Sequence, residues 1–452
     1  MNLLDCAQVV EWLIDAECDA EHLDRIRSEK IRRFQHDSRQ VREGDLFFAL
    51  SGEKVDGHHF LEEVAQKGAI AAVVSKEYRG PHFGLCCFAV SDIVKSLQNL
   101  ARIVHEKSST RVVAVTGSVG KTTTKEFIST LLQTSFRVAK TPGNANSQVG
   151  VPLSILNAEG NAEVFVMEMG MSQPHEIERL VQIAPPEIAV ITKIALSHAE
   201  FFPDGFEGIA AAKAEILSSP HTQLAIVNRQ VMQFEATARA STEKVSYCLD
   251  EDLQEGDYAL KSEGNLFYVV EQGVESPRFS LPFAATHLCE NFLGAVAVAR
   301  RLGMQWPEII AQAQKLKSYQ KRFEVIEKNG ITFINDSYNA NPTSMRAALM
   351  NMPRPGLAGK SIAVLGSMKE LGSFATQSHL EVGQLALKRV DYLICLGEEC
   401  LPMVDLFRSE GRPVDFYLEI ADVKQRLLQL AKEGDVVLLK GSNSKQLWRV
   451  LE

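Results

Sequence analysis

The chain has 452 residues, 45% of them hydrophobic and 23% charged, and a formal net charge of -9. That length accommodates about two to four domains with their own cores, and the negative balance excludes a general nucleic-acid binder. No apolar run reaches the roughly 18 residues of a membrane span, the first residues form neither a signal nor a transit peptide, and the eight cysteines lack any C-x-x-C pair, so reduced, mostly packed thiols in a cytoplasmic protein are expected; a monomer is a separate expectation.

Residues 1–105 read as a first α/β unit. A helix is predicted over 3–16, then Gln35-His36-Asp37-Ser38-Arg39, then a Gly44-Asp45 turn into the aromatic strand 46–50. A helix over 61–67, a Gly68 cap and the strand 71–74 follow. Asp37, Ser38 and Arg39 lie in a polar loop at a strand end, where ligands of α/β sheets gather. The same tripeptide reads equally well as a surface turn closed by a local salt bridge.

Residues 106–310 carry the most specific signal. The β-branched run 112–115 enters Thr116-Gly117-Ser118-Val119-Gly120-Lys121-Thr122-Thr123, and a helical pattern follows. Glycines let successive backbone N–H groups face an anion, and the helix N-terminus adds its dipole. Lys121 would reach the outer phosphates and the Thr122 hydroxyl a Mg2+ ion. The earlier glycine stands three places before Gly120 instead of five, yet the Lys-Thr pair marks a nucleoside triphosphate site. Next come a polar, glycine-rich loop with Asn146 and Ser147, and a buried strand 164–167 that ends at Glu168, the place of a Mg2+-directed carboxylate. A strand over 188–192 leads to His198, whose reading stays open between a structural side chain and a ligand. Lys213, in a helix over 208–217, reads alone as a solvated surface lysine. Edge strands are expected within 221–285, and a helix over 287–301 carries Asn291.

Residues 311–452 read as a third α/β domain. Arg322 precedes a strand over 323–326. The strand 331–335 runs into Asp336-Ser337-Tyr338-Asn339-Ala340-Asn341-Pro342, and strands over 361–366, 391–397 and 436–440 follow. Strand–helix repetition with polar strand ends predicts a mostly parallel, doubly wound sheet, so the whole is α/β: a first unit, a central phosphate-loop sheet and a Rossmann-like C-terminal domain.

These stretches resemble the Mur ligase family of bacterial cell-wall synthesis over essentially the whole chain. The loop 116–123 is similar to the family's phosphate loop. Asp37-Ser38-Arg39 with Gly44-Asp45-Leu46-Phe47 resembles its uridine-nucleotide domain. The 336–342 stretch, Leu365-Gly366-Ser367-Met368-Lys369-Glu370-Leu371-Gly372 and Lys440-Gly441-Ser442 resemble the branch that adds D-alanyl-D-alanine to UDP-N-acetylmuramoyl-tripeptide. The Asp-Asn-Pro-Arg motif of the diaminopimelate-adding branch is absent after Ile394.

The resemblance implies amide formation through an acyl phosphate, using ATP and two Mg2+ ions. It assigns Gly117, Ser118, Val119, Gly120, Lys121, Thr122, Thr123, Asn291, Arg322 and Asp336 to ATP. Asp37, Ser38, Arg39, Asn146 and Ser147 go to the UDP substrate, and Tyr338 and Asn339 to the amine side. Lys121, Glu168, His198 and Lys213 become catalytic, with Thr122, Glu168, His198 and Lys213, the last as a CO2-derived carbamate, holding metal. Three departures accompany it: Ser367 where the family has Asp, Lys321 where it has Gly, and Leu288 where it has Asn. The rivals are another ligase of the superfamily and a phosphate-loop ATPase or GTPase, the GTPase lacking its Asn-Lys-x-Asp motif here.

Overall fold

The computed structural model of the chain describes residues 4–52, 55–249 and 257–452; Leu3 and residues 250–256, parts of the predicted opening helix and edge-strand region, lie outside them. The chain divides into two compact units: Met1–Val115, Leu132–Ala189 and Glu215–Leu224, and Thr116–Leu131, Val190–Ala214 and Ala225–Glu452. Among the described residues there are three sheets.

The first sheet lies in the first unit. Its strands β1 (Phe34–Gln35), β2 (Leu46–Phe48), β3 (Ala71–Ser75) and β4 (Cys86–Val90) pair in that order, all parallel. A parallel sheet is covered on both faces, so its strands are apolar throughout. Leu46, Phe48, Val73 and Phe88 enter one core cluster and Phe47, Ala72, Val74 and Cys87 the other, the alternation a strand requires. Helix Ile93–Glu106, capped by Asp92, buries Ile93, Leu97, Leu100, Ala101 and Val104 on one stripe. The predicted opening helix is shorter, Cys6–Trp12. The Asp5–Gln8 capping box fixes its start, extended backbone at Leu13 its end, and a second helix, Ala20–Ile26, follows.

The second sheet comprises β5 (Arg111–Thr116), β6 (Val138–Lys140), β7 (Val164–Glu168), β8 (Ile188–Ile191), β9 (Leu224–Asn228), β10 (Glu243–Cys248), β11 (Tyr258–Glu263), β12 (Leu266–Glu271) and β13 (Val274–Glu275), in the order β13-β12-β11-β10-β9-β8-β5-β7-β6. β5, β7 and β6 are parallel, and Val115 stands opposite Glu168. The predicted edge strands are the meander β11–β13, which pairs antiparallel.

The third sheet, in the second unit, comprises β14 (Glu324–Lys328), β15 (Ile331–Asn335), β16 (Ser361–Gly366), β17 (Tyr392–Leu396), β18 (Val414–Tyr417) and β19 (Val436–Lys440), in the order β14-β15-β19-β16-β17-β18. Only β14 is antiparallel, an edge hairpin with β15. Because the other strands run the same way, the residues after β15, β16 and β17 share one edge with the end of β19, the edge at which α/β sheets bind ligands. Among the described residues no helix is long and apolar enough to cross a membrane.

Candidate active site

In the second unit the phosphate loop takes the shape its glycines allow. Gly117 has φ +144° and Gly120 φ +90°, values closed to residues with a Cβ except under strain. Space enforces the same choice: a Cβ on Gly117 would stand 1.9 Å from Thr192 Oγ1, and one on Gly120 2.4 Å from Asn291 Oδ1. The chain after β8 clamps the loop. Ser118 N donates to Lys193 O (2.7 Å), Ser118 Oγ to Ala195 O (2.8 Å), and Thr192 Oγ1 to Val119 O (2.6 Å). Lys121, the first residue of helix Lys121–Leu132, bends its Nζ back to Gly117 O (2.8 Å).

Residues of the third sheet's domain meet this loop. Arg322 Nη2 donates to Thr122 Oγ1 (3.2 Å), and its guanidinium lies 3.7 Å over the Tyr338 ring. Asp336 accepts from Phe323 N (3.1 Å) and from Lys440 Nζ (2.7 Å), while Lys440 Nζ also donates to Asn339 O (3.0 Å). Lys440 is fully buried, which pulls its pKa down, with Asp336 opposing that shift. His198 sits in left-handed backbone (φ +56°) with Nδ1 2.5 Å from Glu370 Oε2. Lys213 corrects the reading from its residue type alone: at 1% exposure it is buried in helix Phe206–Ala214 and is no surface lysine.

Lys321 adopts φ +61°, a backbone region that favours glycine; a side chain there costs about 1 kcal/mol. Its Nζ lies 3.7 Å over the Trp448 ring. Leu288 is buried in the helix Thr286–Arg301 that carries Asn291. Ser367 Oγ donates to Glu399 Oε2 (2.6 Å), an acceptor that an aspartate in its place would repel.

In the first unit, Glu168 is buried and accepts from Asn146 Nδ2 (2.7 Å), while its backbone N–H donates to Thr141 Oγ1 (3.0 Å). Asp37 and Arg39 form a two-bond pair (both 2.8 Å), and the Arg39 guanidinium holds the Asp37 carboxyl well below the usual carboxylate range. Ser38 is buried and donates to Glu63 (3.2 Å). The salt-bridged turn is therefore realised. Ser147 Oγ accepts from Gly150 N (3.2 Å) at the start of helix Gly150–Leu156. Asp37–Arg39 and Asn146–Ser147 make no hydrogen bond to one another among the described residues.

Among the buried polar atoms without a hydrogen-bond partner are Thr124 Oγ1, His287 Nδ1 and Arg322 Nε. An orphaned buried polar group is costly, and a polar ligand at the loop would satisfy Arg322 Nε, whose guanidinium already reaches Thr122. Among the described residues no three His, Cys, Asp or Glu side chains form a metal cage. Mg2+ itself takes one or two carboxylates and completes its octahedron with phosphate and water. Sequence reasoning missed Thr192 and Lys193, the latter paired with Glu290 at 2.5 Å. Their only signal was a polar pair directly after a buried strand.

Burial holds the His287 imidazole down at about 4, with Lys440 and Lys193 adding to that and Asp336 opposing it. Below the ordinary histidine pKa of about 6.5 the unfolded chain binds a proton that the folded chain refuses, so stability falls from about pH 6.5 to about pH 4 and is level above. The expected loss by pH 5 is about 2 kcal/mol. Urea unfolding near pH 7.5 and pH 5 should show a loss smaller by that amount in His287→Gln; equal losses would remove His287 from the account.

Three family descriptions match the chain: the Mur ligase family catalytic domain over residues 30–104, the Mur ligase middle domain over 115–299, and the Mur ligase glutamate ligase domain over 321–443. The UDP-N-acetylmuramoyl-tripeptide–D-alanyl-D-alanine ligase of Bacillus subtilis (strain 168) is 33% identical over 92% of this chain and 91% of its own. The structure of MurF ligase from Thermotoga maritima in complex with ADP is 31% identical, with a TM-score of 0.78 over 93% of this chain and 96% of that one. A MurF structure from Acinetobacter baumannii has a TM-score of 0.84 at 28% identity, over 100% and 99%.

Proposed function

The chain belongs to the Mur ligase family, and from that premise we propose that it joins D-alanyl-D-alanine to UDP-N-acetylmuramoyl-tripeptide at the expense of ATP, in peptidoglycan precursor synthesis. The observation that carries this reading is the clamped loop 116–123, with Lys121 folded over it and Arg322 bound to Thr122. It is a site for a nucleotide's phosphates, reached by a second domain.

A carboxylate is inert to amines, so the γ-phosphoryl group of ATP first converts it to an acyl phosphate. The dipeptide amine then attacks the acyl carbon, and phosphate leaves. Negative charge gathers as two anions meet, and positioned cations stabilise it. Lys121 and Arg322 supply two of these charges, and Asn291 and Asp336 position the rest of the nucleotide. Thr122, Glu168, His198 and Lys213 would hold two Mg2+ ions, Lys213 as a carbamate, because an ammonium cannot ligate a cation. Those ions, when bound, neutralise the phosphoryl oxygens and the attacking carboxylate. Asp37, Ser38 and Arg39 with Asn146 and Ser147 serve the UDP substrate, Tyr338 and Asn339 the amine side. Segments 1–105, 106–310 and 311–452 act as the substrate, ATP and C-terminal domains of a cytoplasmic monomer.

The test is phosphate release from ATP and Mg2+ with UDP-N-acetylmuramoyl-tripeptide, with and without D-alanyl-D-alanine, and mass analysis of the product. Release that requires the dipeptide, with a UDP-pentapeptide formed, is expected. Release with a free amino acid on the UDP-dipeptide would move the assignment to the diaminopimelate or lysine branch. Release with neither would leave an ATPase.

A further inference from the structure

The second unit holds a cleft of about 270 Å3 that none of the assigned residues lines. Drug-sized ligands take about 300–1,000 Å3, so this space suits something smaller. One wall is the strip after β8, through Leu196 and Phe206; the other is Pro342, Thr343 and Arg346 of helix Pro342–Asn351 with Phe374, Gln377, Glu381 and Leu385 on or just before helix Ala375–Leu387. The two walls are fastened together: Glu200 N donates to Glu370 O (3.2 Å), His198 meets Glu370, and Phe374 packs on Gly205.

The cleft has the polarity of a small peptide. Leu196, Phe206, Phe374 and Leu385 are apolar walls for methyl groups. Arg346 is exposed and makes no ion pair or hydrogen bond among the described residues. It is a cation with no structural use among the described residues, lining a space that is also lined by Leu196, two residues before His198. Glu381, held by Gln377 Nε2 (2.9 Å), places one negative charge on the second helix of the same wall. A ligand with one carboxylate fits against Arg346, and a second carboxylate would meet Glu381.

We propose that this cleft is the subsite for the incoming dipeptide, with Arg346 binding its terminal carboxylate, so that its amine points past Leu196 toward the residues around His198. The proposal rests on the ligase reading above. It makes Arg346 and Glu381 determinants of which amine is accepted. A guanidinium grips a carboxylate through two charge-assisted hydrogen bonds, an interaction that changes affinity about tenfold to a hundredfold.

The experiment compares D-alanyl-D-alanine with D-alanyl-D-alaninamide, which lacks the carboxylate, in wild type, Arg346→Met and Leu385→Trp. Wild type should prefer the acid by about tenfold to a hundredfold in kcat/KM. Arg346→Met should raise KM for the dipeptide by that factor, leave KM for ATP and UDP-tripeptide unchanged, and bring the acid-to-amide ratio near one. Leu385→Trp, which fills the cleft and spares the arginine, should raise KM for acid and amide alike. An active Arg346→Met with the wild-type ratio, or with all three KM values raised together, overturns the cleft assignment and leaves the ligase reading standing. A wild-type protein that makes no pentapeptide overturns both.

Discussion

Replacing Lys213 by alanine is expected to lower kcat by about a thousandfold or more, the scale of losing an organised charge at a reacting phosphoryl group, without unfolding the chain. Its helix already contains Ala210, Ala211, Ala212 and Ala214, and alanine is the best helix former. The loss has a particular chemical form. In the proposed form, the neutral amine of Lys213 attacks CO2 and sheds a proton, leaving an anion with two oxygens that can hold a metal. Formate or acetate should therefore restore part of the activity of Lys213→Ala by supplying a carboxylate to the vacated space. Lys213→Arg keeps a positive charge and forms no comparable carbamate, so it should be as inactive as the alanine variant. Near-normal turnover by Lys213→Arg would show that the side chain acts as a cation and would sink the carbamate.

The second large effect is at Gly117. Alanine there should weaken ATP binding at least about a hundredfold, roughly 2.7 kcal/mol, with the fold intact. The new methyl group would lie 1.9 Å from Thr192 Oγ1, and the backbone would remain at φ +144°. Since Thr192 is buried and anchors Val119, the loop itself must move, and its N–H groups no longer converge on one anion. Adding Thr192→Ala should relieve the clash and recover only part of the affinity, because the strain stays and the clamp is gone. Titration calorimetry with ATP and Mg2+ measures both. Affinity of Gly117→Ala within threefold of wild type would contradict the geometry.

The residues that sequence reasoning reached are those whose chemistry is local. Lys121 and Thr122 follow Gly120 directly, and a helix N-terminus needs nothing distant to explain it. Glu168 was legible because a carboxylate at the end of an apolar strand is conspicuous. Lys213 was not legible, because burial belongs to the packing of the whole helix; the apolar stretch 209–212 around it was the only hint. Thr192 and Lys193 were invisible for another reason: what they touch is set by β8 lying beside β5, a long-range pairing. Asp37-Ser38-Arg39 shows the reverse. The sequence left two readings open, and the folded turn has the salt bridge of the plainer one without excluding a ligand at Arg39. The fold class followed from the alternation of strands and helices, while the length of the opening helix depended on one capping box and one extended residue.

The hydrogen bond from Arg322 to Thr122 Oγ1 implies a contest for one oxygen. A hydroxyl that gives a lone pair to Mg2+ is a poor neighbour for a guanidinium, since two cations around one atom repel. With Thr122 in its proposed role as a metal ligand, loading of metal and nucleotide would loosen the arginine's hold, and by linkage whatever tightens that hold would lower nucleotide affinity by the same factor. An inhibitor of this enzyme need not resemble ATP or either peptide. A compound that wedged Arg322 against Thr122 would lock out the nucleotide by holding a contact of the protein with itself.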